Sequence, residues 1–218
     1  MGSNLNRNDT INYILQKYDL HLNKRRLPVE IPDTGRNDLA ILFKELDFKV
    51  GVEVGVAEGF YAEILCCANP GVKLYCVDAW QKYADYRDYI SSSILDGFYE
   101  EAKVRLAPYD CTLIRKFSME AVQNFEPNSL DFVYIDGNHT LKYVVEDITE
   151  WSKRVQPGGI ISGHDFRKSN TSYTAHVVQS VQAYTDAYRI SPWFVLGSKG
   201  SVKGETRDEH RSWMWIKD

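Results

Sequence analysis

Five short, nearly continuous apolar runs, separated by helix-length stretches, constrain this chain more than any other feature. They are Val50–Val54, Lys73–Val77, Thr112–Ile114, Leu130–Ile135 and Gly159–Ser162. A strand buried on both faces loses the alternation of a half-exposed strand, so such runs predict a parallel sheet covered by helices on both sides. The clearest intervening helix is 140 to 155. There Leu141, Val144, Val145, Ile148, Trp151 and Val155 form a stripe opposite Lys142, Glu146, Glu150 and Lys153, and Pro157-Gly158-Gly159 stops it.

Ahead of the runs, Ile11, Ile14, Leu15 and Tyr18 share one face of a helix from about 9 to 22, behind the capping cluster Asn8-Asp9-Thr10. Leu27-Pro28 to Gly35 reads as a break, and a second helix runs from Asn37-Asp38 to about Leu46. After the runs, Trp193–Leu196 and Trp213–Ile216 flank a polar loop and read as two antiparallel strands. The expected architecture is a seven-stranded, mostly parallel α/β sheet over residues 37–218, preceded by a helical extension over 1–36. With 218 residues, there is no room for a separate substrate domain.

Composition narrows the partners. The formal charge of −4 gives no global field to attract a polyanion, so nucleic acid is not an expected partner. The longest cationic run, Lys24-Arg25-Arg26, reads as a solvated segment. No stretch approaches the roughly 18 to 20 apolar residues of a membrane span, and no apolar leader precedes the first helix. The four cysteines, Cys66, Cys67, Cys76 and Cys111, lack zinc-like spacing and read as reduced core thiols. A cytoplasmic protein is expected, and a homodimer is compatible with the sequence.

The glycine turn after the first run points to a ligand. Gly55 and Gly59 permit a tight turn and close backbone approach at a strand's carboxyl end, where open α/β sheets bind ligands. The pattern is E-x-G-x-x-x-G rather than the dinucleotide G-x-G-x-x-G, and Glu58 near the helix N-terminus would repel a diphosphate. A nucleoside cofactor with a positive centre and no phosphate fits better: S-adenosylmethionine carries a sulfonium and an ammonium. Asp78 ends the second run 23 residues after Gly55, where an acid can bind both ribose hydroxyls, and Trp80 can pack on adenine or ribose. Ser118 and Met119 follow the third run and can frame adenine, although Ser118 reads equally well as a helix cap.

The fourth run ends in Asp136-Gly137-Asn138-His139 and the fifth in Gly163-His164-Asp165, on the same sheet edge as the glycine turn. Methyl transfer from a sulfonium needs no general acid, because the leaving group is a neutral thioether. What remains is positioning and removal of a hydroxyl proton. His139 suits the base, as an imidazole titrating near neutrality. Asp136 and Asp165 can hold a divalent cation such as Mg²⁺. Each of these residues also has a plainer use in capping the next helix.

The segments EVGVAEG, Asp78 with Trp80, DFVYIDGNHTLKYVVEDI and PGGIISGHDF together resemble class I S-adenosylmethionine-dependent methyltransferases. The resemblance runs over about residues 37 to 196 and is strongest toward macrocin-type sugar O-methyltransferases, with catechol O-methyltransferases more distant. It implies a Rossmann-like fold, cofactor contacts from Glu53, Gly55, Gly59, Asp78 and Ser118, His139 as base, Asp136 and Asp165 as metal ligands, and a small-molecule hydroxyl acceptor such as a sugar or polyol. One departure stands out. Those relatives usually carry a second acid or amide beside the later aspartate, whereas Asp165 lies between His164 and Phe166, so no third ligand follows. The N-terminal helices and the loops at 81–97 and 163–172, with the tyrosine-rich stretch Tyr83 to Tyr89, are expected to cover the acceptor. The rival readings are a dinucleotide-dependent oxidoreductase and a non-catalytic cofactor-binding protein of the same fold.

Overall fold

A computed structural model of the chain describes residues 5–22, 27–83, 91–167, 175–200 and 202–218. The Lys24-Arg25-Arg26 run, Tyr86, Tyr89 and residues 168–172 of the 163–172 loop lie outside them. The strands are β1 (Val29–Ile31), β2 (Val50–Val54), β3 (Lys73–Asp78), β4 (Cys111–Arg115), β5 (Leu130–Ile135), β6 (Val155–Gly163), β7 (Trp193–Leu196) and β8 (Trp213–Ile216). They form one sheet in the order β1-β7-β8-β6-β5-β2-β3-β4, in which β8 alone runs antiparallel to its neighbours. The chain therefore has the expected Rossmann-like α/β fold.

Among the described residues the sheet has eight strands, not seven. Strand β1 pairs parallel with β7 through Val29↔Phe194 and Ile31↔Leu196. Pro28 and Pro32 bracket it, which makes it read as a break; on an edge strand one row of backbone groups faces no neighbour, so prolines are tolerated there.

Helices α1 (Arg7–Lys17), α2 (Arg36–Glu45), α3 (Phe60–Ala68) and α6 (Leu141–Ser152) follow the expected periods, except that Val155, expected in the last helix, opens β6, and Pro157-Gly158-Gly159 lie within that strand rather than ending the helix. Helix α4 (Ser92–Leu106) occupies part of the stretch expected to be a covering loop. Its buried residues are only Leu95, Ala102 and Leu106, too sparse a stripe to reveal a period. Helix α7 (Val177–Ala187) buries Ser180 and Thr185 beside its valines, and those polar residues hide its inner face. Their hydroxyls donate back to the His176 and Val181 carbonyls, which removes the burial cost.

Two apolar layers sandwich the sheet. One contains Leu39, Leu42, Phe43, Leu65 and Phe132; the other contains Val133, Ile148, Trp151, Val181 and Trp213. In the first, Phe132 stacks on Phe43 with ring centroids 4.1 Å apart, and Gly51 on the neighbouring strand makes the room. A Cβ at Gly51 would stand 2.1 Å from the Phe132 ring. Of the cysteines, Cys66 and Cys76 are buried as expected, but Cys67 is exposed and lies 3.1 Å from the Tyr109 hydroxyl. No helix among the described residues is long and apolar enough to cross a membrane.

Candidate active site

The carboxyl ends of β4, β3, β2 and β5 lie side by side, and a cavity of about 280 Å³ opens across them. Along that edge its wall is built in turn from Ser118, Asp78, Glu53 with Gly55, and Asp136 with His139. Gly55 draws the strand ends together. Its N–H donates to the Val77 carbonyl at 2.8 Å and its φ is +90°, while a Cβ there would stand 2.1 Å from the Asp136 carbonyl oxygen. Gly59 caps α3 at φ +82° and shapes the turn without lining the cavity.

Asp78 closes the turn from β3. Its Oδ2 accepts the N–H groups of Val56 (2.9 Å) and Ala57 (3.0 Å), and its Oδ1 accepts that of Trp80 (2.8 Å). A carboxylate offers about four lone-pair sites, so it retains capacity for a ligand hydroxyl. The Trp80 ring is a buried wall of the cavity, with its Nε1–H donated to the Ala57 carbonyl at 2.9 Å. Ala57 and Trp80 both hold positive φ, +47° and +42°. That region is unfavourable for residues with a Cβ, and such strain is typical of ligand-holding turns.

Glu53 is 2% exposed, and its Oε2 has no hydrogen-bond partner among the described residues. Burial, followed by the nearby Asp136 charge, pushes its carboxyl well above the usual range. Arg36, the first residue of α2, reaches the same cavity and lies over the Tyr61 ring at 5.2 Å. At the opposite end, Ser118 Oγ donates to Asp147 and accepts from Trp151 Nε1 at 2.8 Å. Ser118 is thus not the side-chain cap of its short helix; the cap position belongs to Phe117. Met119 packs into the second apolar layer and is absent from the cavity wall. Burial raises the Asp147 carboxyl to about 7, against the opposing Ser118 bond. From about pH 4 to 7 the unfolded chain releases this proton while the folded chain keeps it, so rising pH works against folding. Asp147→Asn keeps the acceptor and removes the titration. In urea unfolding it is expected to exceed the parent by up to ~4 kcal/mol at pH 8, with the gap closing toward pH 4. A gap independent of pH would contradict this.

At the β5–β6 end, two acids and three imidazoles converge. His139 Nε2 lies 3.0 Å from Asp165 Oδ2 and 3.5 Å from Asp136 Oδ1. His164 Nδ1 lies 3.6 Å from Asp136 Oδ2 and 3.8 Å from Asp165 Oδ2, while its buried Nε2 has no hydrogen-bond partner among the described residues. His210, from the connection between β7 and β8, places Nδ1 2.5 Å from Asp165 Oδ1. Burial opposes protonation of His139, but its bonds and Coulomb attraction to Asp136 and Asp165 outweigh it and raise the ring to about 10. Burial likewise opposes charge on Asp165, and His139, His164 and His210 together hold its carboxyl well below the usual range. His139 is therefore an imidazolium at neutral pH in this arrangement, not the neutral ring its residue type suggests, because both of its neighbours are acids. Donor atoms of Asp136, His139 and Asp165 all fall within 4.8 Å of one another, a spacing that suits a metal ion.

A family model described as a methyltransferase domain matches residues 52–166, more than half of the chain. This chain belongs to that methyltransferase family. The methyltransferase is 26% identical over 127 residues to the uncharacterized protein y4gI of Sinorhizobium fredii, a match covering 52% of this chain and 13% of that protein. It thus corresponds to a small part of that relative's length. Among solved structures it resembles the O-methyltransferase TomG from Streptomyces achromogenes, involved in tomaymycin synthesis and solved with SAM: TM-score 0.59, 14% identity, 94% of this chain and 86% of that one. It also resembles an O-methyltransferase from Bacillus cereus solved with SAH, with TM-score 0.57, 14% identity, and coverage of 95% and 90%. At these identities the likeness is one of fold.

In the methyltransferase, Glu53, Gly55, Asp78, Trp80, Ser118, Asp136 and His139 share one cavity wall, and Asp165 joins through His139. Tyr83 also lines the cavity and meets Phe117 and Tyr143 edge-on at 5.0 and 4.9 Å. Sequence reasoning missed Arg36, Asp147 and His210. Arg36 sits at a helix start assigned to the extension, Asp147 on a helix face that reads as polar, and His210 in a loop 45 residues from its partner. None carries a local motif.

Proposed function

We propose that the methyltransferase moves a methyl group from S-adenosylmethionine to a hydroxyl of a small molecule, a sugar, polyol or related metabolite, with His139 receiving the hydroxyl proton. The observation that carries this is His139 held between Asp136 and Asp165 at one end of a cavity whose other walls are the glycine turn, Asp78 and Ser118. A nucleoside lying along the four strand ends puts its adenosine toward Ser118 and Asp78 and its sulfonium toward the histidine. The displacement is in line, so the chain's work is to align the acceptor oxygen and take its proton. The net charge of −4 favours a small acceptor over nucleic acid.

The charge on His139 sets a condition. A ring with a value near 10 holds its proton at pH 7 and accepts none. The donor set fits a divalent cation: Asp136 and Asp165 would hold it, with the His164 ring beside them. When bound, that ion supplies positive charge that acidifies a neighbouring hydroxyl and offsets the two carboxylates. With the two carboxylates offset in this way, His139 would lose the attraction that raises it and could serve as the base.

Two measurements test this reading. Calorimetric titration is expected to show SAH binding and no NAD binding; NAD binding alone would favour an oxidoreductase. Turnover is expected to fall in EDTA and return with Mg²⁺ or Mn²⁺, and in EDTA any residual rate should rise toward pH 10 as His139 loses its proton. Full activity in EDTA with an unchanged pH profile would remove the metal from the mechanism.

A further inference from the structure

We infer that Cys66 and Cys111 form a thiol pair that a hydroperoxide converts reversibly to a disulfide, with Cys111 as the attacking sulfur and Cys66 as the resolving one. The pair is separate from the methyl-transfer site: among the described residues, no cysteine lines the cavity at the carboxyl ends of the strands.

The fold builds this pair from residues 45 positions apart. Cys111 opens β4, the edge strand, and Cys66 lies in the later part of α3, which packs in the same apolar layer. Their Sγ atoms stand 3.3 Å apart. A disulfide bond is about 2.05 Å long, so the two sulfurs need to close by only ~1 Å. Cys76 joins from the neighbouring strand: Leu74 on β3 pairs with Cys111, and Cys76 is the next residue of β3 on that face. A metal cage does not result. Among the described residues only Asp136, His139 and Asp165 bring three donor atoms within 4.8 Å of one another, so the thiols are poised for each other and not for a cation.

The surroundings assign the roles. Cys66 is buried, whereas Cys111 is only half-buried at the start of its strand, so a small oxidant reaches Cys111 first. Donation from the Cys66 and Cys76 thiols outweighs burial and the Asp110 charge and lowers the Cys111 thiol to about 4, while the same bond and burial hold Cys66 up. Cys111 is thus the thiolate, the nucleophilic form of sulfur. In the first step its sulfur attacks one peroxide oxygen; the O–O bond breaks, an S–O bond forms, and the departing oxygen takes a proton and leaves as water or an alcohol. In the second, Cys66 gives up its proton and attacks the Cys111 sulfur; the S–S bond forms, the S–O bond breaks, and water leaves. The two thiols lose two electrons, and the peroxide gains them. Cys67, exposed and 3.1 Å from the Tyr109 hydroxyl, is the competing site.

The test treats the folded parent with an equimolar amount of hydrogen peroxide, alkylates the remaining thiols and maps the peptides by mass. The expected result is loss of two of the four free thiols, a cross-linked Cys66–Cys111 peptide, and full recovery with dithiothreitol. Cys67→Ser should cross-link as fully as the parent. In that background Cys111→Ser is expected to slow peroxide consumption at least ~10-fold, while Cys66→Ser leaves the rate within about twofold and removes the cross-link. The parent's peptide map decides alone where a variant does not fold. Oxidation at Cys67 with Cys66 and Cys111 still open to alkylation, no loss of thiols, or a loss that dithiothreitol does not reverse would overturn the pair. Equal rates for Cys111→Ser and Cys66→Ser would overturn the division between attacking and resolving sulfur.

Discussion

Replacing His139 with glutamine is expected to cut methyl transfer by about 10²- to 10⁴-fold, the usual contribution of a positioned base, while SAH affinity stays within about twofold. The two effects separate because His139 borders the cavity beside Asp136 and Asp165, whereas the end proposed for the nucleoside is lined by Ser118, Asp78 and the glycine turn. Glutamine preserves a polar side chain of similar reach and cannot take a proton. The same variant should lose the pH dependence that His139 imposes, since its ring titrates far from the ordinary histidine range. Steady-state rates across pH 6 to 10, with SAH calorimetry at one pH, separate the roles. Undiminished transfer would remove the base assignment, and a parallel collapse of SAH binding would move His139 into the cofactor pocket.

The second large effect belongs to Gly55. Gly55→Ala places a methyl group 2.1 Å from the Asp136 carbonyl oxygen, a backbone atom that cannot rotate aside, at a φ of +90°. The clash and the left-handed backbone together predict a loss of several kcal/mol, or else displacement of the β5 end that carries Asp136. Either result should abolish SAH binding, transfer or both. Gly59→Ala is the natural contrast, because its Cβ would meet the Leu106 side chain at 3.2 Å, and a side chain can yield by a few tenths of an ångström. Thermal unfolding of the pair is expected to rank Gly55→Ala far below Gly59→Ala. Equal stabilities would mean that the β2–β5 junction is looser than its distances imply.

Legibility in the sequence followed physical locality. The parallel strands could be read because burial on both faces writes itself into consecutive residues, as in Leu130–Ile135, whose six positions are all buried. Asp136, His139 and Asp165 could be read because each follows a strand within a few residues. Strand β1 could not: three residues between two prolines owe their place to Phe194 and Leu196, more than 160 positions away. Helix α4 was hidden by its thin buried stripe. The charge state of His139 was hidden for a related reason, since residue type gives an imidazole its reference value and only assembly supplies two carboxylates. Arg36 shows the same limit, because its neighbours Tyr61 and Asp208 come from α3 and from the β7–β8 connection.

That connection touches the early chain repeatedly: Glu205 accepts the Asp33 N–H, Asp208 that of Arg36, and Arg211 pairs with Glu30, before His210 reaches Asp165. A ribosome delivers these residues last among the ones that matter. During synthesis the four parallel strands β2 to β5 can pair and shape the cavity well before residue 205 emerges. Asp165 then lacks one of its imidazole partners and Arg36 one of its tethers. Until residues 205–211 join, the surroundings of Asp165 and the start of α2 are incomplete together, so the two ends of the site depend on one late segment.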